Sequence, residues 1–299
     1  MLKFGFVTSA TEDEVRALEE LGIDSLWVGG HVASRNPTPE AMVQLASLAA
    51  LSKRVTIGTS ILLLPLYPPA IIAKQIADLD RYTGGRIYLG VGVGGEYEQE
   101  FRACGVPVAE RGKRTDEAIP LLRRLWSAET ISHPGPIFPM QDVRIHPAPV
   151  QKGGPPIIVA GRQEVAMRRA ARLGDGWMPY LYSPRKYAES VETIKSTAAQ
   201  LNRSLDHFQW MEFLFTNIQD DATRARHDAA EFLGGTYNQD FGPLVDRVAA
   251  AGDTAQVIAR VQQYVDAGAR HVIFALGTKG SKLEMASRIV RDVIPAIRL

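Results

Sequence analysis

The stretch VTIGTSILLLPLYPPAIIAKQIADLDRYTGGRIYLGVGVGG, residues 55–95, indicates the fold most clearly. It begins with an apolar, β-branched run at Val55–Ile61 and returns to a similar run at Arg86–Val91, and both runs are typical of buried strands. Between them, Ala70–Tyr82 has the spacing of an amphipathic helix that ends at Gly84-Gly85. Strands that are apolar without interruption are buried on both faces, as in parallel sheets covered by helices. The stretch therefore predicts a β-α-β unit.

The first strand of this unit ends in an unusual way. Thr59 and Ser60 are small and polar, a bulky apolar run follows, and three prolines stand within residues 65–69. Proline fixes the backbone and donates no hydrogen bond, so a regular strand does not continue through them. The pattern indicates a constrained strand end.

Strand and helix alternate along the whole chain. We predict eight strands: Lys3–Val7, Ser25–Val28, Val55–Ile61, Arg86–Val91, Ile157–Ala160, Gly176–Pro179, Gln209–Thr216 and His271–Ala275. We predict helices at Thr11–Leu21, Pro39–Leu51, Ala70–Tyr82, Arg114–Trp126, Glu164–Leu173, Pro184–Leu201, two or three segments within Ala222–Ala267, and Lys282–Ile297. Eight such units in 299 residues favour one α/β domain over residues 1–299, a single (β/α)8 TIM barrel, rather than an open doubly wound sheet.

Two local patterns in the sequence indicate an insertion and a helix cap. Ser132–Pro156, with seven prolines, is the one insertion, and it lies between strands four and five. Thr11 and Glu14 have the spacing of a capping box at the start of the first helix.

Composition excludes several classes of protein. Thirty-four basic and 33 acidic residues leave a net charge of +1, which favours neither nucleic acid nor a membrane surface as partner. The single cysteine, Cys104, provides no disulfide framework, and the six histidines have no metal-ligand spacing, so we expect no metal. The longest apolar run, Ile61–Ala73, is too short to span a membrane, and the start lacks the pattern of a signal peptide. We expect a soluble, cytoplasmic protein.

The barrel prediction identifies candidate site residues, because active sites of such barrels lie at the carboxyl ends of the strands. The candidate segments are Gly29–His31, Thr59–Ile61, Gly92–Glu96, Gly161–Gln163 and Trp177–Tyr180.

Three of these segments have chemistry that can be read directly. GVGVGG, residues 90–95, formally fits a dinucleotide motif, but it follows the fourth strand; its glycines either pack closely or let a flat ring or phosphate approach the backbone. His31 is either structural or a group that exchanges a proton near neutral pH. Gly161, Arg162 and Gln163 precede a helix, where amide groups and the helix dipole favour an anion, although Gln163 alone could simply cap that helix.

Taken together, these pieces resemble the luciferase-like flavin and deazaflavin oxidoreductase superfamily, whose members use FMN or coenzyme F420. The resemblance is carried by SLWVGGH (25–31), by the stretch 55–95, by HPAPVQKGGPPIIVAGRQEVAMRRAARLGDGWMP (146–179) and by AGDTAQVIARVQQYVDAGARHVIFAL (251–276). It implies the (β/α)8 barrel and a non-proline cis peptide at Ser60–Ile61, against the back of the cofactor ring. It also implies a cofactor phosphate at the loop after strand five. The cofactor-binding residues expected are Thr59, Ser60, Ile61, Gly92, Val93, Gly94, Gly161, Arg162, Gln163 and Trp177.

The resemblance also assigns the candidate catalytic residues. His31 matches the histidine that members keep beside the reacting ring atoms, and Glu96 resembles a carboxylate of the sugar-phosphate-oxidising F420 enzymes. Those enzymes carry an acidic residue just before the histidine and a tryptophan shortly after it. This chain has Gly30 before it and Val32 to Arg35 after it, which argues against glucose 6-phosphate as substrate.

The leading functional prediction is an F420-dependent oxidoreductase that moves hydride between deazaflavin C5 and a small organic substrate. The alternative is an FMN-dependent luciferase-like monooxygenase that works with a separate flavin reductase, and a second alternative is a non-catalytic flavin-binding barrel. Luciferase-type FMN enzymes place an arginine where this chain has Val93, which favours F420. Arg35 and Lys152 are expected near the anionic tail of F420. We expect a homodimer.

Overall fold

A computed structural model describes all 299 residues and shows eight parallel strands closed into a barrel with helices around it. The strands of the chain are β1 (Lys3–Val7), β2 (Ser25–Val28), β3 (Thr56–Thr59), β4 (Leu62–Leu63), β5 (Ile87–Gly92), β6 (Ile131–His133), β7 (Met140–Val143), β8 (Ile157–Ala160), β9 (Gly176–Met178), β10 (Gln209–Ile218), β11 (Ala249–Gly252) and β12 (His271–Leu276). The barrel runs β1-β2-β3-β5-β8-β9-β10-β12 and closes where β12 pairs with β1. The predicted fold class is confirmed.

The helices follow the predicted order closely. They are α1 (Glu12–Glu20), α2 (Ala41–Leu51), α3 (Pro69–Thr83), α4 (Glu98–Ala103), α5 (Arg111–Leu125), α6 (Glu164–Leu173), α7 (Pro184–Gln200), α8 (Ala222–Tyr237), α9 (Val245–Val248), α10 (Thr254–Asp266) and α11 (Lys282–Arg288). None of them has both the length and the apolar character needed to cross a membrane.

The third barrel strand is interrupted where the sequence indicated a constrained end. β3 ends at Thr59, the Ser60–Ile61 peptide bond is cis, and β4 then pairs with β5. The cis bond lies where the resemblance placed it. Residues 60 and 61 connect β3 to β4 at the carboxyl end of the barrel, where the N–H of Ser60 still donates to the carbonyl of Val28.

Four details of the predicted elements are wrong. The segment Ala222–Ala267 also contains a strand, β11, which extends the sheet beside β10 because its small residues fit against the barrel. The insertion contains the hairpin β6–β7, two strands that the prediction of eight strands left out. Thr11 makes no capping bond, since Glu14 accepts from the backbone N–H of Ser9 at 2.9 Å instead. The last helix leaves α geometry after Arg288 and continues in wider and tighter turns.

Two of the four apolar clusters of the protein build the barrel. The larger lies between the strands and the surrounding helices, and the smaller fills the barrel with Trp27, Ile158, Met178, Met211 and Ile273. The large ring of Trp27 fits because Gly58 faces it, where a Cβ would stand 2.4 Å from the indole.

A buried carboxylate fixes the chain that enters β3. Glu19 of α1 accepts hydrogen bonds from Ser52 Oγ at 2.9 Å and from the backbone N–H groups of Lys53 and Arg54 at 3.0 Å. Burial raises the pKa of Glu19, but these hydrogen bonds lower it more, so its pKa lies below the ordinary value. These hydrogen bonds connect the carboxyl end of α1 to the segment that leads into β3, the strand that is followed by Ser60.

Candidate active site

A cavity of about 230 Å³ opens at the carboxyl end of the barrel, where the site was expected. The strand ends contribute its lining: Gly30 and His31 after β2, Ser60 and Ile61 between β3 and β4, Leu63 of β4, Gly92, Val93, Gly94, Glu96 and Glu100 from β5 to α4, Ala160 and Gly161 at β8, Met178 and Tyr180 at β9, Phe213 of β10, and Tyr237 of α8. Eight of these 16 residues are hydrophobic, so the cavity has an apolar lining interrupted by a few polar groups.

One wall of the cavity is formed by the cis peptide and the glycines opposite it. A Cβ on Gly92 would stand 1.9 Å from Cδ1 of Ile61, and a Cβ on Gly90 would stand 1.9 Å from the carbonyl oxygen of Thr59. The missing side chains thus let the β3–β4 bend lie directly against β5. Ser60 Oγ is buried at this wall and has no hydrogen-bond partner in the protein.

His31 is held from two sides. Its Nδ1 lies 3.2 and 3.3 Å from the two carboxylate oxygens of Glu100, and its ring meets the edge of Tyr97 with centroids 5.1 Å apart. Glu100 is fully buried, whereas the His31 side chain keeps 25% of its surface exposed. His31 therefore faces the cavity with Nε2 as the nitrogen left for a ligand.

Sequence reasoning missed Glu100. A signal for it was present, because Glu96 and Glu100 stand four residues apart in EYEQEF and could share one face of a helix. The structure shows that α4 includes Glu100 and that Glu96 precedes it.

A second polar pair closes the opposite side of the cavity. The hydroxyl of Tyr180 donates to Glu96 at 2.5 Å, the guanidinium of Arg162 lies 4.9 Å from the centre of the Tyr180 ring, and Tyr237 stacks on the same ring at 6.0 Å. Burial, followed by the charge of Glu96, raises the pKa of Tyr180, so the phenol stays protonated. Glu96 is thus already occupied by a donor.

A second cavity of about 640 Å³ lies behind this pair. Glu96, Tyr180 and Tyr237 line both cavities, and Arg35 and Arg162 line only the second. We call the first cavity the inner cavity and the second the outer cavity. Arg35 and Arg162 give the outer cavity an excess of positive charge.

Four of the predicted cofactor residues lie off the wall of the first cavity: Thr59, Arg162, Gln163 and Trp177. The Thr59 hydroxyl is buried and donates to the carbonyl of Gly90 at 2.7 Å, and Trp177 is buried and donates from Nε1 to the carbonyl of Gly161 at 2.9 Å. Gln163 occupies the N-cap position of α6 without a side-chain capping bond. Thr59 and Trp177 therefore support the backbone of wall residues from behind.

The expectation for Lys152 is wrong. This lysine borders a cavity with Pro156, Asp175 and Gln209, which stand at or before the starts of β8, β9 and β10. That is the amino end of the barrel, opposite His31. Only Arg35 of the two expected tail neighbours lies beside the candidate site.

One group of side chains has ligand atoms close enough for a metal ion. His227, Asp228 and Glu231 of α8 place these atoms within 4.8 Å of one another, but Glu231 is paired with Lys279 at 2.7 Å on the surface. The ammonium already neutralises the carboxylate that a cation would need.

Comparison with known proteins agrees with the fold. The luciferase-like monooxygenase family model matches residues 6–271. The chain is 28% identical to the F420-dependent glucose-6-phosphate dehydrogenase of Amycolatopsis mediterranei (strain U-32), covering 100% of this chain and 99% of that protein. It is 29% identical to the enzyme of the same name from Kineococcus radiotolerans, covering 99% and 97%.

Solved structures share the fold at lower sequence identity. An F420-dependent secondary alcohol dehydrogenase in complex with an F420–acetone adduct superposes with a TM-score of 0.87 at 19% identity, covering 100% of this chain and 99% of that one. The oxygenating constituent of 3,6-diketocamphane monooxygenase from Pseudomonas putida, in complex with FMN, gives 0.80 at 19% identity with coverage of 100% and 99%. The family model covers most of the chain, and the chain therefore belongs to the luciferase-like monooxygenase family.

Proposed function

We propose that this oxidoreductase uses coenzyme F420 and transfers a hydride between C5 of the deazaflavin and a small organic substrate. The observation that carries the proposal is one cavity in which His31, held by Glu100, faces the Ser60–Ile61 wall. The two full-length relatives described above, both named as F420-dependent dehydrogenases, support the choice of cofactor.

The residues of the cavity fit a flat ring system. Ser60 has a buried hydroxyl that no protein group pairs, and Ile61 offers an apolar surface. Gly92 and Gly94 make room for the side chains of Ile61 and Leu63, which lets the β3–β4 bend form a close-packed wall for the ring. When bound, F420 supplies the hydride chemistry. Gly161 and Arg162, ahead of α6, would hold its phosphate, since helix N-termini and a guanidinium both favour an anion.

His31 moves the proton in this proposal. Oxidation of an alcohol to a ketone releases a proton together with the hydride, and reduction requires one. Nε2 of His31 is the ring nitrogen that Glu100 leaves available on the cavity side. Tyr180 holds the Glu96 carboxylate, so Glu96 would contribute charge and orientation next to the site.

Glucose 6-phosphate remains disfavoured as the substrate. The inner cavity is lined by no lysine or arginine, although a sugar phosphate would need a cation for its phosphate group. Arg35 and Arg162 lie in the outer cavity, beyond Tyr180. A small uncharged substrate fits the inner cavity better.

The test of the proposal is the order of cofactor affinities. Val93 replaces the arginine of the luciferase-type FMN enzymes, and losing one charge-assisted contact removes about 1.5–3 kcal/mol. We therefore expect F420 to bind at least about tenfold tighter than FMN in fluorescence titrations at one salt concentration. The reverse order would favour the FMN-dependent monooxygenase. Cofactor binding without turnover across alcohol and ketone substrates would favour a non-catalytic barrel.

Three further expectations accompany the proposal. We take residues 1–299 as one domain, and we expect the protein to be a homodimer in the cytoplasm. Sedimentation equilibrium that gives the mass of a monomer would contradict the dimer.

A further inference from the structure

The surroundings of Glu100 restrict its chemistry. Its side chain has no exposed surface, and its only hydrogen-bond partners are Nδ1 of His31 and the backbone N–H of Val32 at 3.3 Å. A buried carboxylate needs donors, because burial without them is costly. A carboxylate oxygen can only accept, so its contact with Nδ1 is a hydrogen bond when the imidazole carries its proton on Nδ1.

The position of Glu100 is fixed by its neighbour in α4. Phe101 is almost fully buried and packs in a cluster with Leu63, Leu66 and Val106. This packing sets the rotation of the short helix. The carboxylate is therefore presented to His31 by a rigid element rather than by a mobile loop.

We propose that Glu100 is a positioning residue that keeps the proton of neutral His31 on Nδ1 and so presents an unprotonated Nε2 to the cavity. Neutral imidazole has two tautomers, and the hydrogen bond at one nitrogen decides which nitrogen is left to accept a proton. With Nδ1–H directed to Glu100, Nε2 accepts the substrate proton, and the adjacent carboxylate stabilises the imidazolium that forms. The inference rests on the proposed function, since His31 must be the acid–base group for this positioning to affect turnover.

A purely structural role for Glu100 makes a different prediction. The bond to Val32 N–H also connects α4 to the loop after β2, and its loss would loosen that loop. Such a role would change stability without changing the tautomer of a histidine that stays in place.

The experiment reads the tautomer in the ligand-free protein. Protein labelled with 15N-histidine is observed by long-range 1H–15N NMR at mildly alkaline pH, and the His31 signals are assigned by their absence in His31→Gln. Glu100→Ala removes the acceptor, Glu100→Gln keeps its size without the charge, and Glu98→Gln is the matched control because Glu98 is exposed on the same helix. Turnover with F420 is measured in parallel.

We expect the wild type and Glu98→Gln to show the Nδ1–H tautomer alone, and Glu100→Ala to show a mixture in which Nε2–H predominates. We expect kcat of Glu100→Ala to fall about 10- to 100-fold with little change in KM, a part of the 10²–10⁴ that a positioned proton-transfer group contributes. An Nε2–H tautomer in the wild type, or an unchanged tautomer in both Glu100 variants, would overturn the inference. If Glu100→Ala does not fold, Glu100→Leu, which fills a similar volume without an acceptor, decides by the same criteria. A changed tautomer with unchanged turnover would leave the positioning intact and refute the proposed role of His31.

Discussion

The contact between Gly92 and Ile61 offers a direct test of the cavity wall. Gly92 does not have a positive φ, so alanine is compatible with its backbone, and only the new methyl group matters. In Gly92→Ala the Cβ would stand 1.9 Å from Ile61 Cδ1 and 3.3 Å from Cγ1. Because ordinary carbon contacts are about 3.5–4.0 Å, the Ile61 side chain must move by roughly 2 Å.

The open side available to Ile61 is the cavity. Returning the Ile61 side chain to its original place against the new methyl group costs about 1–3 kcal/mol. Binding of the F420 ring requires this return, so the cost weakens the affinity for F420. We therefore expect Gly92→Ala to bind F420 roughly 5- to 150-fold more weakly. The unfolding midpoint should change little, because the displaced side chain has room to move into the cavity.

The assay is a fluorescence titration with F420 at fixed salt, together with urea unfolding of the free protein. The matched control is Gly112→Ala, in α5, where a Cβ would meet only Nη2 of Arg169 at 3.4 Å, an ordinary contact. The control should keep its affinity and gain up to about 1 kcal/mol of stability from helix propensity. Unchanged affinity in Gly92→Ala, combined with reduced stability, would show that Ile61 moves away from the cavity and would refute the reasoning.

Two further substitutions test the reacting group and the support of β3. His31→Ala should keep the fold and cofactor affinity but lower turnover by about 10²–10⁴; an unchanged rate would make His31 structural. Glu19→Ala leaves several backbone and hydroxyl donors without their acceptor and should lower the free energy of unfolding at neutral pH by about 2–4 kcal/mol in urea titrations. Exposed Glu20→Ala is the control. Folding lowers the pKa of Glu19, so the stabilisation by Glu19 is present above the ordinary carboxyl range and is lost as pH falls through the folded pKa. The difference in unfolding free energy between the wild type and Glu19→Ala should therefore become smaller in acid. A difference that grows in acid would contradict this account.

The alternation of strands and helices could be predicted from the sequence alone, and it in turn predicted that the site lies at one end of the barrel. Apolar strand runs and helix spacing are local patterns, and the closed parallel barrel follows from eight repeats of them. Because parallel strands all end at the same face, His31, Ser60, Gly92 and Gly161 could be grouped before any contact was known. The cis peptide at residues 60 and 61 came from the family resemblance, not from these patterns.

Which side chains meet at that end depends on contacts between segments that are distant in sequence. Glu100 reaches His31 across 69 residues of sequence, and Tyr180 reaches Glu96 across 84. The first contact depends on the rotation of α4, which the burial of Phe101 sets, and the second depends on how far the chain after β9 turns over the cavity. A strand pattern fixes the direction of a backbone, whereas side-chain pairing depends on helix rotation and loop path, which are set by packing between segments distant in sequence.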